Sequence, residues 1–138
     1  MKVYCFYTTD GKITSVGQCA DFDFANQVPT DGEYKMEVLG GLFSPNDFYV
    51  KDDSLVRIPA APCPDCDFDY KTESWVFSYQ KSLRKLRERR NSLLQATDWT
   101  QVPDAPVDHA AWATYRQELR DLPANTEDPR NVVWPDRP

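Results

Sequence analysis

The alternation of polar and apolar residues over the first sixty positions predicts short β-strands. VYCFYTTDGKITSV places aromatic and β-branched residues on both sides of Asp10 and Gly11, which readily take the positive φ angles of a tight hairpin turn. EYKMEVL alternates as a half-buried strand does and ends at two glycines. DFYV and SLVRIP flank a turn at Asp52 and Asp53, residues that tolerate left-handed backbone. Residues 1–60 are therefore predicted to form a small antiparallel β domain.

Residues 61–77 differ in composition from the β domain that precedes them. The Pro-rich segment IPAAPCPDC cannot donate a continuous ladder of amide hydrogens, so it predicts an extended connector and a domain boundary. FDYKTESWVF predicts one more short hairpin. From about Ser78 onwards, SYQKSLRKLRERRNSLLQAT is full of strong helix formers and predicts the first helix.

A second helix is predicted after Pro103 and Pro106, with Asp108 as its N-cap, and it should stop before Pro123. Each helix carries one stripe at spacings of three and four. The stripes are Val76, Tyr79, Leu83, Leu86, Arg90 and Leu93 in the first helix, and Trp112, Tyr115, Leu119 and Leu122 in the second.

Two helices with matching stripes and a short connection predict an αα-hairpin, in which each helix covers the stripe of the other. The last segment, ANTEDPRNVVWPDRP, has too little periodicity for a helix and predicts an extended Pro-rich tail. The predicted fold class is therefore α+β, with a β domain over 1–60, a connector and hairpin over 61–77, and a helical module with its tail over 78–138.

Composition adds a cellular context to this prediction. No run approaches the roughly 20 apolar residues that cross a bilayer, and MKVYCFYTTDGK has no apolar run suited to a secretory signal. The interpretation is a soluble protein that stays in a cytoplasm and binds no membrane. Because that compartment keeps thiols reduced, free buried thiols are the prediction for Cys5, Cys19, Cys63 and Cys66.

Cys63 and Cys66 leave two alternatives open, a labile disulfide and half of a zinc site. Zinc needs two further ligands, and only Cys5, Cys19 and His109 are available. If Asp10 and Gly11 close a two-residue turn, Cys5 lies opposite Val16 and Cys19 lies opposite Lys2 on the other sheet face. The thiols of Cys5 and Cys19 therefore diverge, and neither a metal nor another cofactor is expected.

The net charge of −6 is unevenly distributed, because residues 81–90 carry six positive charges against the single Glu88. A basic stripe in an acidic protein indicates pairing between segments or with an acidic partner. General nucleic-acid binding is not expected, since the surrounding acidic field repels phosphates. A solvated helix face is the simpler interpretation of the basic run.

The sequence has no catalytic signature. His109 is the single histidine and stands among alanines at a predicted helix start, no serine or cysteine has a local nucleophile motif, and there is no Gly-rich phosphate loop. Asp65, Asp67 and Asp69 alternate like ligands of a hard metal but lack the glycine and terminal glutamate of a calcium loop. A binding protein is therefore predicted rather than an enzyme.

LLQATDWTQVPDAP, then AWATYRQELRDLP, then NVVWP resembles the C-terminal domain of bacteriophage tail (fibre) assembly chaperone proteins. The resemblance covers about the last third of the chain. The positions that carry it are Leu93, Leu94, Asp98, Trp99, Thr100, Pro103, Asp104, Ala105, Trp112, Tyr115, Arg116, Leu119, Arg120, Leu122, Pro123, Trp134 and Pro135.

This resemblance implies a role in assembling phage tails or tail fibres, with no catalysis. The first hypothesis is a chaperone that binds a tail or tail-fibre polypeptide in the host cytoplasm. The second is a structural adaptor of the tail fibre or baseplate that is retained in the virion. A third hypothesis, from another class, is a small zinc-stabilised nucleic-acid-binding module that uses Cys63, Cys66 and the basic helix.

The predicted partner-binding surface centres on Trp99. Asp98 and Gln101 have the spacing of a capping box, which starts a short turn and holds the Trp99 ring in one orientation. Rigid aromatics near arginines are the residue types of binding hot spots. The candidate residues are Asp98, Trp99, Pro103, Asp104, Trp112, Tyr115, Arg116, Arg120 and Trp134.

Two alternatives accompany that surface. The four aromatic rings also suit the core of a very small domain, and this is the favoured interpretation for Trp112 and Tyr115. The first stripe has heptad spacing, so a coiled coil between copies through Leu83, Leu86 and Leu93 competes with the intramolecular hairpin. That stripe is shorter than three heptads and has Arg90 in its seam, which weakens the case for a homo-oligomer.

Overall fold

Seven short β-strands precede two α-helices along the chain, so the predicted α+β class is confirmed. The computed structural model describes residues 1–138 and divides into two compact units, Met1–Val76 and Phe77–Pro138. The strands are β1 (Lys2–Thr8), β2 (Ile13–Cys19), β3 (Glu33–Val38), β4 (Phe48–Lys51), β5 (Ser54–Arg57), β6 (Cys66–Asp69) and β7 (Ser74–Phe77), and the helices are α1 (Tyr79–Ala96) and α2 (His109–Asn125).

The β1–β2 hairpin has the predicted register, with Cys5 opposite Val16 and Lys2 opposite Cys19. Its turn is one residue longer than predicted. The Thr8 amide donates to the Lys12 carbonyl, the Gly11 amide donates to the Thr8 carbonyl, and Gly11 takes a φ of +87°. A three-residue loop that ends in a left-handed glycine is a common hairpin connection. A bulge beside Phe6 restores the predicted pairing.

Gly11 also approaches β4 closely, because the Val50 amide donates to the Gly11 carbonyl at 2.9 Å. A Cβ added at Gly11 lies 2.1 Å from the Val50 carbonyl oxygen. We therefore expect Gly11→Ala to lower the free energy of unfolding by about 1–3 kcal/mol, measured by urea denaturation.

Gly32→Ala is the matched control for Gly11→Ala. Gly32 has a φ of +86°, but a Cβ there meets nothing within 4 Å. The Gly32 variant therefore reports left-handed backbone strain alone, and the excess loss at Gly11 reports the contact with Val50. Equal losses of unfolding free energy in the two variants would contradict a close contact between Gly11 and Val50.

The predicted β domain over the first sixty residues consists of two antiparallel sheets. β1 lies between β2 and β3, while β4 and β5 form a separate hairpin with positive φ at Asp52 and Asp53, as predicted. The residues after β3 include two glycines and Pro45, and a turn from Ser44 to Asp47 redirects the chain before β4. β4 therefore pairs with its neighbour in sequence, and its Tyr49 forms an isolated bridge with Lys12, the residue before β2.

The core of the first unit lies between these sheets. It consists of Val3, Cys5, Ile13, Val38 and Val50. Cys5 and Cys19 are buried free thiols, as predicted, and burial raises the pKa of the Cys5 thiol to about 11.

Cys63 and Cys66 form a disulfide, so for this pair the default of free thiols is wrong and the disulfide alternative is the one observed. The Cys66 amide donates to the Cys63 carbonyl, which closes a turn and brings the two Cα atoms to 5.3 Å, within the range of a disulfide. Oxidised sulfurs offer no thiolate to zinc. No group of three or more His, Cys, Asp or Glu side chains is placed to hold a metal ion.

The β6–β7 hairpin is held by an aromatic cluster of the first unit. Phe68 packs near Tyr49, Tyr70 and Trp75, with ring centroids 5.2–5.4 Å away. The Trp75 indole N–H donates to the Pro59 carbonyl at 3.0 Å, which fixes the Pro-rich connector.

Both helices begin where the sequence predicts. The Ser78 hydroxyl accepts from the Lys81 amide at the start of α1, and the Asp108 carboxylate accepts from the Ala110 and Ala111 amides at the start of α2. Capping of these free amides stabilises each helix start. Neither helix is long and apolar enough to cross a membrane.

The predicted end of α2 is wrong, because the helix passes through Pro123 to Asn125. A proline in a last turn removes one amide donor but need not end the helix. The Thr126 hydroxyl donates to the Leu122 carbonyl at 2.7 Å and satisfies a carbonyl of that turn.

The stripe of α1 is buried only in part. Leu83 and Leu86 are buried, whereas Val76 and Tyr79 are exposed, since Val76 lies in β7 and Tyr79 is the first residue of the helix. Leu93 packs on the core of the second unit. The residues predicted for self-association are thus at least partly covered within one chain, and a coiled coil through them requires their exposure.

Candidate partner-binding surface

Arg116 of α2 is buried and ties that helix to the end of α1. Its Nη1 donates to the Leu94 carbonyl at 2.6 Å and to the Thr97 hydroxyl at 2.7 Å, and its Nη2 donates to Asp98 Oδ1 at 2.7 Å. Hydrogen bonds from a charged donor in a buried setting are among the stronger ones in proteins. Arg116 therefore holds the chain in place just before Trp99.

The residues Asp98–Gln101 form a 3-10 turn that we call the Trp99 turn. The turn was predicted, but its predicted capping box is not formed. Thr97 occupies the N-cap position without a side-chain cap, Asp98 binds Arg116, and the Gln101 side chain donates to the Thr100 hydroxyl. The buried arginine competes successfully for the carboxylate because it brings a full positive charge.

Two threonines complete the support of the Trp99 turn. The Thr97 hydroxyl donates to the Leu93 carbonyl at 2.9 Å, and the Thr100 hydroxyl donates to the Thr97 carbonyl at 2.7 Å. Both threonines are buried. Nothing in the periodicity of the sequence indicates this network, although the run of polar residues beside Trp99 is its local signal.

Trp112 and Tyr115 lie in the core of the second unit, as the core interpretation predicts. They are buried with Leu119, and their rings meet edge to face with centroids 5.8 Å apart. Trp99 packs on this core from outside, with its ring 6.2 Å from that of Trp112, and 49% of Trp99 remains exposed. A rigid, half-exposed aromatic on a buried support is typical of binding hot spots.

The other exposed candidates follow Trp99 along the chain. Val102, Pro103 and Asp104 are all exposed, and the Val102 amide donates to the Trp99 carbonyl. Arg120 is exposed one helical turn beyond Arg116. Together, Trp99, Val102, Pro103 and Asp104 present an apolar and acidic surface next to the buried arginine.

The C-terminal segment after α2 has neither helix nor strand but folds back onto the second unit. Trp134 is half-buried and packs on the Trp112 cluster, with the Arg89 guanidinium 4.6 Å from its ring centroid. Arg137 lies 5.3 Å from the ring of Trp112. Such cation–π contacts stabilise the position of the tail. Arg89 is exposed, as the solvated-face interpretation of the basic run predicts, but it also contacts Trp134.

Arg130 holds the beginning of the tail. It lies over the Phe77 ring at 4.3 Å and pairs with Asp128 at 2.9 Å. Hydrogen bonds from Arg130 lower the pKa of the Asp128 carboxyl. Sequence reasoning missed the roles of Arg89, Arg130 and Arg137, because a cation–π contact between distant segments leaves no periodic signal.

These elements define a class of small α+β protein in which a two-helix unit with an aromatic core presents a supported tryptophan. Residues 64–138 match the model of a protein family described as phage tail assembly chaperone protein. Because the match covers more than half of the chain, the protein belongs to the phage tail assembly chaperone family. No curated protein and no solved structure matches the sequence.

The family assigns the protein a role in bacteriophage tail assembly. A chaperone family indicates binding to a phage tail protein rather than catalysis. The match begins in the turn before β6 and includes the β6–β7 hairpin, both helices and the tail. The Trp99 turn and its buried support lie wholly within it.

Proposed function

We propose that the chain is a tail assembly chaperone whose helical module, residues 78–138, binds a tail or tail-fibre polypeptide through the Trp99 turn. The observation that carries the proposal is a large, half-exposed aromatic side chain whose ring rests on buried Trp112, next to an Asp98 carboxylate that buried Arg116 binds. A folded protein gains little by holding such a ring in water. A partner that covers the Trp99 ring removes the free-energy cost of its exposure to water.

Preorganisation supports the choice of this turn. Binding is tighter when few side chains must be ordered at the interface. The Trp99 turn is already held by hydrogen bonds from the Thr100 amide and hydroxyl to the Thr97 carbonyl, and by the bond from Arg116 to the Asp98 carboxylate. Trp112, Tyr115 and Arg116 are buried, so they act by positioning the surface, while Trp99, Pro103, Asp104 and Arg120 are the residues that contact the partner.

Replacing Trp99 with alanine is expected to weaken capture of the tail polypeptide by about thirtyfold or more, the size of a hot-spot loss. The measurement is affinity capture of the tagged full chain from infected host cells, with the bound tail polypeptide quantified by mass spectrometry. The helical circular dichroism should stay close to that of the wild type, because half of the Trp99 surface is already in water.

Tyr79→Ala is the matched control, since Tyr79 is an exposed aromatic of the same unit outside the Trp99 turn. It should capture the tail polypeptide like the wild type. If Trp99→Ala instead melts the helices, Trp99 is a core residue and the surface assignment is wrong. If both variants capture normally, the partner binds elsewhere.

Mass spectrometry of purified particles decides between a transient chaperone and a structural adaptor. A chaperone that acts in the host cytoplasm is absent from the mature virion. Recovery of this chain in a fixed ratio to a tail or baseplate protein would assign it to the virion as an adaptor.

A further inference from the structure

A second surface of the helical unit lies between the end of α2 and the folded-back tail. Two adjoining pockets of about 290 and 540 Å³ share Leu122, Asn125 and Val133 as lining residues. Trp134 and Pro135 line one end, and Glu127 lines the other. We call this surface, between residues 118–128 and 131–135, the tail groove.

The middle of the tail groove is apolar and open. Val133 belongs to both pockets, and 85% of it is exposed. Trp134 beside it has the Arg89 guanidinium near one face. An exposed valine in a concave surface next to a tryptophan is an arrangement that an apolar side chain of a partner covers well.

The rim of the tail groove carries negative charge that the chain does not neutralise. Glu118, Asp121 and Glu127 line the groove and take part in no ion pair, and Asp121 accepts only from the Gln117 side-chain amide. By contrast, the Asp98 and Asp128 carboxylates of the same unit are paired with arginines. The rim therefore attracts a cation that the chain itself does not supply.

The end of α2 adds a second, independent attraction for a cation. The carbonyl end of a helix carries about half a negative charge, which a basic residue in the last turn commonly complements. The last turn of α2 contains no basic residue, and Leu122 and Asn125 of that turn line the groove. A positive group bound there meets both the rim carboxylates and the helix terminus.

We propose that the tail groove binds a segment of the tail polypeptide in which an apolar side chain is flanked by lysine or arginine. The apolar side chain lies against Val133 and Leu122, and the cations lie at Glu118, Asp121 and Glu127. This inference rests on the proposed function for the identity of the partner, but it uses a surface separate from the Trp99 turn. Charge complementarity excludes an acidic segment from the same groove.

The test is an NMR titration of the full chain with two short peptides that have leucines at the same positions. One peptide has lysines beside the leucines and the other has glutamates. The lysine peptide is expected to shift the Trp134 indole and the amides around Leu122 and Val133, and to bind less tightly as salt is added. The glutamate peptide should leave them unchanged. Equal shifts with both peptides, or shifts with neither, overturn the proposal.

A charge-neutral double variant, Glu118→Gln with Glu127→Gln, is expected to weaken binding of the lysine peptide by about fivefold to tenfold. Asp31→Asn with Asp47→Asn is the matched control, because it removes two exposed charges of the first unit outside the groove. Wild-type affinity in the groove variant contradicts the assigned rim. Shifts at the same amides on concentrating the chain alone assign the groove to a second copy and overturn the proposal.

The two proposals fail in distinguishable ways. Trp99→Ala should leave the peptide titration unchanged, since Trp99 does not line the tail groove. If the lysine peptide binds but no tail polypeptide is captured from cells, the proposed function is wrong and the inference about the tail groove is retained. If the tail polypeptide is captured equally by the wild type and the groove variant, and the peptide does not bind, only the groove inference fails.

Discussion

Replacing Leu119 with alanine is expected to lower the free energy of unfolding of the helical unit by about 2–5 kcal/mol. Leu119 is 0% exposed and packs with Trp112 and Tyr115 in the core. The substitution removes buried methyl groups and leaves a cavity that two rigid aromatic rings fill poorly. The loss is measured by urea denaturation followed by helical circular dichroism.

Leu39→Ala controls for the loss of a leucine as such. Leu39 is 96% exposed in the first unit, so its truncation should change the stability by less than about 0.5 kcal/mol. A loss below about 1 kcal/mol at Leu119 would show that the aromatic core repacks around alanine. Such a result would also remove the rigid support that we assign to Trp99.

Replacing Arg116 with methionine is the second large effect, at about 2–3 kcal/mol of lost stability. Methionine keeps much of the aliphatic volume but leaves the Leu94 carbonyl and the Thr97 hydroxyl without the Arg116 donors. The cost of exposing Asp98 is smaller, because 65% of its side chain already faces solvent. Urea denaturation measures the loss.

Arg120→Met is the control within the same helix, because Arg120 is exposed. It should change the stability by less than about 0.5 kcal/mol. The Arg116 variant is also expected to bind the tail polypeptide less tightly, since the Trp99 turn is then less ordered before binding. Unchanged stability together with unchanged binding would show that the Arg116 hydrogen bonds contribute nothing to the surface.

The chaperone role gives a reason for burying an arginine in so small a unit. An apolar side chain in place of Arg116 would fill the same buried volume. The guanidinium instead fixes three acceptors at once, two in the last residues before the turn and one within it. The fold thus uses a polar contact to set the orientation of an exposed aromatic, a property that a binding surface needs and a core does not.

Local chemistry made several elements of this protein predictable. Asp52 and Asp53 tolerate left-handed backbone, so the β4–β5 turn was predictable, and Ser78 and Asp108 accept hydrogen bonds from free helix amides, so both helix starts were predictable. The burial of Trp112 and Tyr115 followed from helical spacing. The family was also visible in the sequence, because LLQATDWTQVPDAP, AWATYRQELRDLP and NVVWP resemble its C-terminal domain.

Other predictions were wrong where a neighbour distant in sequence, or a local hydrogen bond outside the pattern, changed the outcome. Asp98 has the spacing of a capping residue, but the buried Arg116 of the next helix takes its carboxylate. Pro123 ordinarily ends a helix, but in the last turn it removes only one amide donor, and the helix continues to Asn125. Free thiols were the default prediction for Cys63 and Cys66, with a disulfide left open, and the turn between them brings them into disulfide distance.

The sequence by itself determined the strands, the helices and the helix starts, because these depend on interactions between residues close in the chain. It also determined the family, because a family is recognised from motifs in the sequence. Only the tertiary structure decided which arginine is buried beside the Trp99 turn, and that the tail folds back to form a groove with Val133 and an acidic rim. These properties depend on burial and charge between distant segments, and periodicity contains no information about such pairs.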